Sequence, residues 1–251
     1  MSLSLTTGAR AFLILVLTAV TVVSLRARPI APAELRRRLP RCVAGLACFG
    51  LGIALFVRST LGLPPWDVLH TGLAEIFDLP VGLVVNLVGL VVLLLWIPLR
   101  ERPGLGTVLN TLEIGFVLDL SLNLLPTPKL FATRWLFALG GLVIIAAGSG
   151  LYIGSGLGPG PRDGVMMGLR RFGLSVRAAR TVIELATMAI GFVLGGNVGL
   201  GTALFMFGIG PLVQIALRHL SLPPLVDPQS KPDQSGDQTG HQPEASAATR
   251  V

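Results

Sequence analysis

Charge is scarce in this chain. Only 13% of its 251 residues are Asp, Glu, Lys or Arg, whereas a soluble domain carries about 25%. Cysteine is scarcer: Cys42 and Cys48 are the only two. Six residues apart on a helix, they point to different faces. That excludes an intrahelical disulfide and a two-cysteine metal site, so both read as small packing residues. There is no His-Glu-x-x-His zinc motif and no Walker lysine. His70 stands alone as a ligand and makes no metal site. Ser155 in Gly154-Ser155-Gly156 superficially resembles a protease nucleophile. Its only plausible base, His70, falls on the opposite side of the membrane in the topology derived below, so the two cannot meet. No enzyme class and no cofactor follow from these residues.

What the chain has instead is apolar sequence. Hydrophobic residues make up 52%, in recurrent runs of membrane-spanning length. The chain therefore reads as an all-α polytopic membrane protein whose immediate partner is the lipid bilayer. No ten-residue alternation suggests a barrel. The net charge of +7 does not mark a nucleic-acid binder, because the basic residues cluster beside the apolar runs as topology signals do.

The chain is also repetitive. Leu61-Gly62-Leu63-Pro64-Pro65-Trp66-Asp67 is echoed 96 residues later by Leu157-Gly158-Pro159-Gly160-Pro161-Arg162-Asp163. Upstream, Gly45 and Gly52 face Gly141 and Gly148. Downstream, after one deletion, Gly104-Leu105-Gly106-Thr107 faces Gly199-Leu200-Gly201-Thr202. A unit of about 95 residues is present twice. Unit one covers 41–125, with helices expected over about 41–58, 80–99 and 105–125. Unit two covers 134–218, with helices over about 134–154, 177–196 and 199–218. The Gly-Leu-Gly-Thr turns reverse the chain, and Thr107 and Thr202 cap the helices that follow. Residues 1–40 hold an extra apolar helix over 11–25 and a basic linker over 26–41. Residues 222–251 read as a disordered tail.

Three helices per unit is an odd number, so the second unit enters the membrane upside down. Charge placement argues the same. If the first repeat helix starts in the cytosol, Arg26, Arg28, Arg36, Arg37, Arg38, Arg41, Arg100, Arg102, Arg162, Arg170, Arg171, Arg177, Arg180, Arg218, Lys231 and Arg250 lie inside. Only Arg10, Arg58, Lys129 and Arg134 lie outside. The expected fold is two inverted three-helix repeats with an extra N-terminal helix.

Each unit also carries a short helix, about 65–77 and 161–173, too short to cross a bilayer. A proline suits its first position, and Asp67 or Asp163 at the third accepts first-turn amide protons. In the first of these, Trp66, Leu69, Leu73, Ile76 and Phe77 share one face and Asp67, Thr71, Glu75 and Asp78 the other. That pattern favours a helix lying flat in the interface. The other placement is re-entrant: broken helices at matching points of inverted repeats mark carrier binding sites. Around the second, Gly160, Gly164, Gly168, Arg170 and Arg171 suit an anionic headgroup or solute.

Glu113 and Glu184 lie within apolar helices, about eight and seven residues from the cytosolic ends, or roughly 10–12 Å. Intramembrane acids are costly and mark function by default. Both are expected at similar depth in the inner half, either at a site or bonded to a neighbour such as Asn86, Asn110, Thr181 or Arg180. A carboxyl in apolar surroundings titrates higher than usual, which suits proton coupling. Asp119 is expected nearer the outer water, and His70 at the interface.

Gly50-Leu51-Gly52-Ile53-Ala54-Leu55, the Pro-Pro-Trp-Asp segment and Gly156-Leu157-Gly158-Pro159-Gly160-Pro161-Arg162-Asp163-Gly164 together resemble the YczE/YyaS/YitT-type bacterial integral membrane proteins. The resemblance covers about 40–220. It implies a multi-pass protein of the bacterial plasma membrane, from a family often described as transporters or exporters. It supplies no substrate. Two readings follow. One is a secondary carrier or exporter of a small solute, proton coupling included, with Asp67, Arg162, Asp163, Glu113 and Glu184 as candidate solute contacts. The other is a non-transporting scaffold or assembly factor. A water-accessible cavity reaching the midplane and lined by those acids favours the first, and a closed apolar helix interface there the second.

Overall fold

The computed structural model describes residues 30–225. The expected helix over 11–25 and the tail beyond 225 lie outside the described residues. Among the described residues all regular structure is helical.

Helix α1 spans Pro32–Ser59 and begins nine residues earlier than the sequence pattern predicts. The expected linker is therefore partly helix. Pro32 supplies the fixed first turn, and Glu34 pairs with Arg38 at 2.7 Å one turn on. Arg38 is 3% exposed. It donates to Ser155 O at 2.8 Å and to Pro223 O at 2.7 Å, while Arg41 donates to Leu220 O at 3.0 Å. These bonds tie the start of α1 to the far ends of two later helices.

Helix α2 is Pro65–Phe77 and α3 is Val81–Leu94. The run then breaks at Leu95 and resumes as α4, Trp96–Leu99. Pro98 explains the break, since it has no amide to offer the carbonyl of Leu94. Helix α5 is Leu105–Leu124 and α6 is Phe131–Gly154. Helix α7 is Pro161–Gly168, followed by a 3-10 turn over Leu169–Phe172. Helix α8 is Val176–Val193 and α9 is Leu200–Leu220.

The centre of the molecule is the α1–α6 pair, with α5 packed on α1 and α9 on α6. Glycine lets the two axes approach. A Cβ on Gly45 would lie 2.7 Å from Gly148 O, and one on Gly148 2.6 Å from Gly45 O. Gly52 and Gly141 repeat the arrangement at 2.9 and 2.8 Å. The contacts run in opposite chain directions, so the helices are antiparallel. Leu46, Ile53, Phe56, Leu142 and Ile145 fill the seam around them.

The linking segments exchange partners in the same way. Leu61 O accepts from Gly201 N at 2.7 Å, and Leu157 O accepts from Gly106 N at 2.9 Å. Gly62 and Gly158, at φ 116 and 132, each turn the chain against the glycine turn of the other half. Thr107 Oγ1 accepts from Gly104 N at 3.1 Å and Thr202 Oγ1 from Gly199 N at 3.2 Å, the capping roles expected of them.

Five helical segments are long and apolar enough to cross a membrane: α1, Val81–Leu99, α5, α6 and α9. Helix α8 is not among them, and it carries Arg177, Arg180 and Glu184. Large apolar side chains stand out over the exterior, with Val193 83% and Phe207 82% exposed. A surface of this kind belongs against lipid.

Helix α2 does not sit as its amphipathic pattern suggested. Asp67, on the polar face, is 1% exposed, whereas Ile76 and Phe77 are 55% and 64% exposed. α2 packs closely on α8, where Gly191 and the turn at Gly196 leave room for the backbone of Val68 and Leu69.

Candidate functional site

A cavity of ≈ 120 Å3 opens at the middle of the bundle. Phe49, Ile114, Ile145 and Ile209 line it, and each lies well inside its own helix. The first turns of α2 and α7 meet there, contributing Pro65, Trp66 and Asp67 from one and Pro161, Arg162 and Asp163 from the other. From this point the two short helices diverge. α7 leads to Leu99, which Gly168 touches. α2 leads to the α8–α9 turn, where Gly195 faces Glu75. Water needs about 10–15 Å3 of such space, so the cavity admits several waters or one small solute.

The lining comes in matched pairs from the two repeats: Pro65 and Pro161, Trp66 and Arg162, Asp67 and Asp163, Phe49 and Ile145, Asn110 and Phe205, Ile114 and Ile209. The correspondence is partial: Ser149, Tyr152, Ile153, Met166 and Val213 line the cavity without their counterparts, and α8 differs most in charge. Arg180 and Glu184 line the cavity, while Val85 and Gly89 hold the equivalent positions and border a smaller space beside His70. At these two positions one unit offers a charged pair and the other apolar groups.

Each acid has a defined partner. Asp67 Oδ1 lies 2.9 Å from His70 Nδ1, both side chains being 1% exposed. Burial holds the His70 imidazole below its ordinary value; the hydrogen bond and charge of Asp67 oppose that, and Arg162 adds to it. The imidazole is thus a neutral donor to the carboxylate. Tyr152 Oη donates to Asp163 Oδ2 at 2.8 Å. Glu184 pairs with Arg180 at 2.9 Å, one turn away on α8 and at the more open rim. Trp96 Nε1 donates to Pro161 O at 2.9 Å and so fixes the start of α7. The Arg162 guanidinium lies over the Trp66 ring, 5.1 Å from its centroid. Trp66 is 8% exposed, and among the described residues its Nε1–H has no acceptor.

Two expectations are corrected here. Asp67 and Asp163 do not cap their helices: neither N-terminus receives a side-chain cap. His70 and Tyr152 claim the carboxylates instead. His70 is not at an interface but buried. The five candidate contacts also separate. Asp67, Arg162, Asp163 and Glu184 share the cavity, whereas Glu113 lies in an outward groove between α3 and α5 with Asn86 and Asp119. Depth along α5 said nothing of direction, and Glu113 is about 100° round the helix from Ile114. Asp119 acts locally, because its carboxylate accepts from Gly82 N at 2.7 Å and Leu83 N at 3.2 Å and so caps α3. Asn86 bridges Leu112 O and Gly115 N. Ser155 Oγ donates to Tyr152 O at 2.6 Å.

Sequence reasoning passed over Tyr152 and the indole N–H of Trp66. A signal existed for the first. Tyr152 is the only tyrosine in the chain, and its hydroxyl is what distinguishes it from Phe56, its counterpart in unit one.

A family model described as a family of unknown function (DUF6198) matches residues 36–218. The chain belongs to that family. An uncharacterized protein of Haemophilus influenzae is 40% identical over 177 residues, covering 70% of this chain and 81% of the relative. The uncharacterized membrane protein YczE of Bacillus subtilis is 32% identical, covering 69% and 82%. The Bacillus subtilis protein YyaS is 27% identical, covering 68% and 88%. These matches support the YczE/YyaS-type resemblance read from the repeated motifs. No solved structure matches the chain. With its apolar helices, this family member is a helical membrane protein.

Proposed function

We propose that the protein is a secondary carrier of a small solute in the bacterial plasma membrane. In this reading two three-helix units are inserted in opposite orientations and the solute site is the mid-bundle cavity. One observation carries it. Both short helices begin at a single cavity between the units, its largely apolar wall interrupted by Asp67, Arg162, Asp163 and Glu184. Broken helices whose N-termini meet at the junction of inverted repeats are the usual architecture of a carrier site. The scaffold reading called for a closed apolar junction.

The exchanged contacts support the inversion. The Gly45–Gly148 contact becomes Gly141–Gly52 when the two units are swapped, and the Gly106–Leu157 hydrogen bond becomes Gly201–Leu61. Antiparallel α1 and α6 then relate the units by a two-fold axis across the helices. Charge fits too. Arg38 and Arg41 gather the start of α1 with the ends of α6 and α9, where Arg36, Arg37 and Arg218 also lie. Helix α8 serves as the sixth span. Val182, Ile190, Phe192 and Val193 are exposed on it, while Arg180 and Glu184 turn to the cavity.

The test has two stages. Solutes retained by cells with and without the protein are compared without preselection. Those that differ are then offered to liposomes containing purified protein. Carrier function predicts saturable flux of at least one. Liposomes that move none of them overturn the reading.

A further inference from the structure

The chemistry left free in the cavity describes what fits there. Glu184 and Arg180 answer each other. Asp67 and Asp163 each give one oxygen to a neutral donor, His70 or Tyr152. Their negative charges are not cancelled by those partners, and each keeps a second oxygen. Arg162 has no carboxylate within ion-pair distance among the described residues and rests on the Trp66 face. Trp66 lines the same cavity, while its Nε1–H is enclosed by protein and has no acceptor among the described residues.

The cavity thus presents one cation and two carboxylates that are not paired with one another. A simple anion would answer Arg162 but add a charge of the same sign as Asp67 and Asp163. A simple cation would answer the aspartates but meet Arg162 as a like charge. A molecule bearing both charges gives each of the three groups an opposite one. The ≈ 120 Å3 volume admits only a small one. Phe49, Ile114, Ile145 and Ile209 leave apolar wall for a short side chain.

We propose that the cavity binds a small zwitterionic amino acid, its carboxylate at Arg162 and its ammonium at Asp67 and Asp163. The proposal names the substrate class for the carrier reading and rests on the same cavity. The experiment is thermal unfolding of the purified full chain in detergent, with alanine, propionate or ethylamine added at equal ionic strength. Alanine should raise the melting temperature in a saturable way, and neither half-molecule should match it. Asp163→Asn removes one carboxylate charge. Arg162→Gln removes the cation. Each should raise the half-saturating alanine concentration by about tenfold or more, the loss a charged or buried hydrogen bond carries. The exposed Glu75→Gln change should not. Propionate acting as well as alanine, ethylamine acting as well, or none of the three acting would each overturn the proposal. So would alanine responses unchanged in both cavity variants. Transport separates this proposal from the carrier reading. Alanine that stabilises the protein but does not cross liposomes leaves the binding site standing and removes the carrier. Flux of a solute carrying one charge or none, without stabilisation by alanine, does the reverse.

Discussion

Arg162 lies against Trp66, the residue that holds its own position in the other repeat, with 5.1 Å between the guanidinium carbon and the ring centroid. In the proposed inverted arrangement these matched positions flank the axis relating the two units. At that point one unit offers a cation and the other an aromatic face. The contact also joins the first turn of α7 to that of α2, so the two short helices are held as a pair.

The first prediction tests that junction. A double-mutant cycle with Arg162→Gln and Trp66→Leu, read as unfolding free energy of the purified protein, should show a coupling of about 0.5–2 kcal/mol. Additive single effects would mean the stacked pair does not hold α2 and α7 together.

The second concerns Asp67 and His70. Asp67→Asn leaves an oxygen for the His70 N–H, so its effect should be mild. Asp67→Ala leaves that donor buried and unpaired, at a cost on the order of 1–3 kcal/mol. With His70→Phe already in place, Asp67→Ala should cost less. If the order Asn before Ala disappears, or the His70 background makes no difference, the carboxylate is not held by the imidazole.

The third is a pH dependence. The folded His70 binds its proton below the ordinary value of 6.5, because burial opposes the charged form. The unfolded chain then holds more protons as the pH falls through that value, so stability is present above it and declines beneath it. Melting temperature should drop as the pH is lowered from about 7.5 to about 5.5. His70→Gln should flatten that part of the curve, and an unchanged slope would assign the acid sensitivity elsewhere.

The short helices and most helix limits were legible in the sequence. Pro65 and Pro161 start α2 and α7 where their fixed φ predicts, and the Gly-Leu-Gly-Thr turns fall where the apolar runs stop. What was hidden depended on neighbours from the other half of the chain. The face of α2 bearing Asp67 looks like a water-facing one, yet its first turn is enclosed where it meets the first turn of α7, and Asp67 turns to His70. Glu113 and Glu184 look like partners by depth, yet α5 turns Asn110 and Ile114 to the cavity and Glu113 away. The linker before α1 looks irregular because Pro40 interrupts it. The pairing of Glu34 with Arg38, and the anchoring of Arg38 on Ser155 O and Pro223 O, let the helix continue through.

The fourth prediction concerns the glycine seam. A methyl group at Gly45 or Gly148 meets backbone atoms at 2.6 Å, which cannot yield as a flexible side chain would. Gly45→Ala or Gly148→Ala should cost about 1–3 kcal/mol as overpacking. Gly140 is in the same helix with nothing within 4 Å. Gly140→Ala should be neutral or gain up to about 1 kcal/mol from helix propensity. Equal effects at 140 and 148 would place the α1–α6 contact elsewhere.

The fifth prediction is topological. Arg38 and Arg41 bind carbonyls at the ends of α6 and α9, so three helix termini and their basic residues form one end of the molecule. Gly168, two residues before Arg170, packs on Leu99, beside Arg100 and Arg102. The opposite end holds Lys129, the loop before α6 and the Gly62–Gly199 contact. Basic residues stay in the cytosol, so position 129 should face out and position 170 should face in. Single cysteines at the two sites, in a background without Cys42 and Cys48, are treated with an impermeant maleimide on intact cells. Label is expected at 129 only, and at 170 once the membrane is opened. A mixture at both sites would mean that the chain inserts in two orientations. Label at 170 and not at 129 would turn the molecule over and leave the dense arginine end facing out, against the charge rule from which the inverted-repeat topology was built.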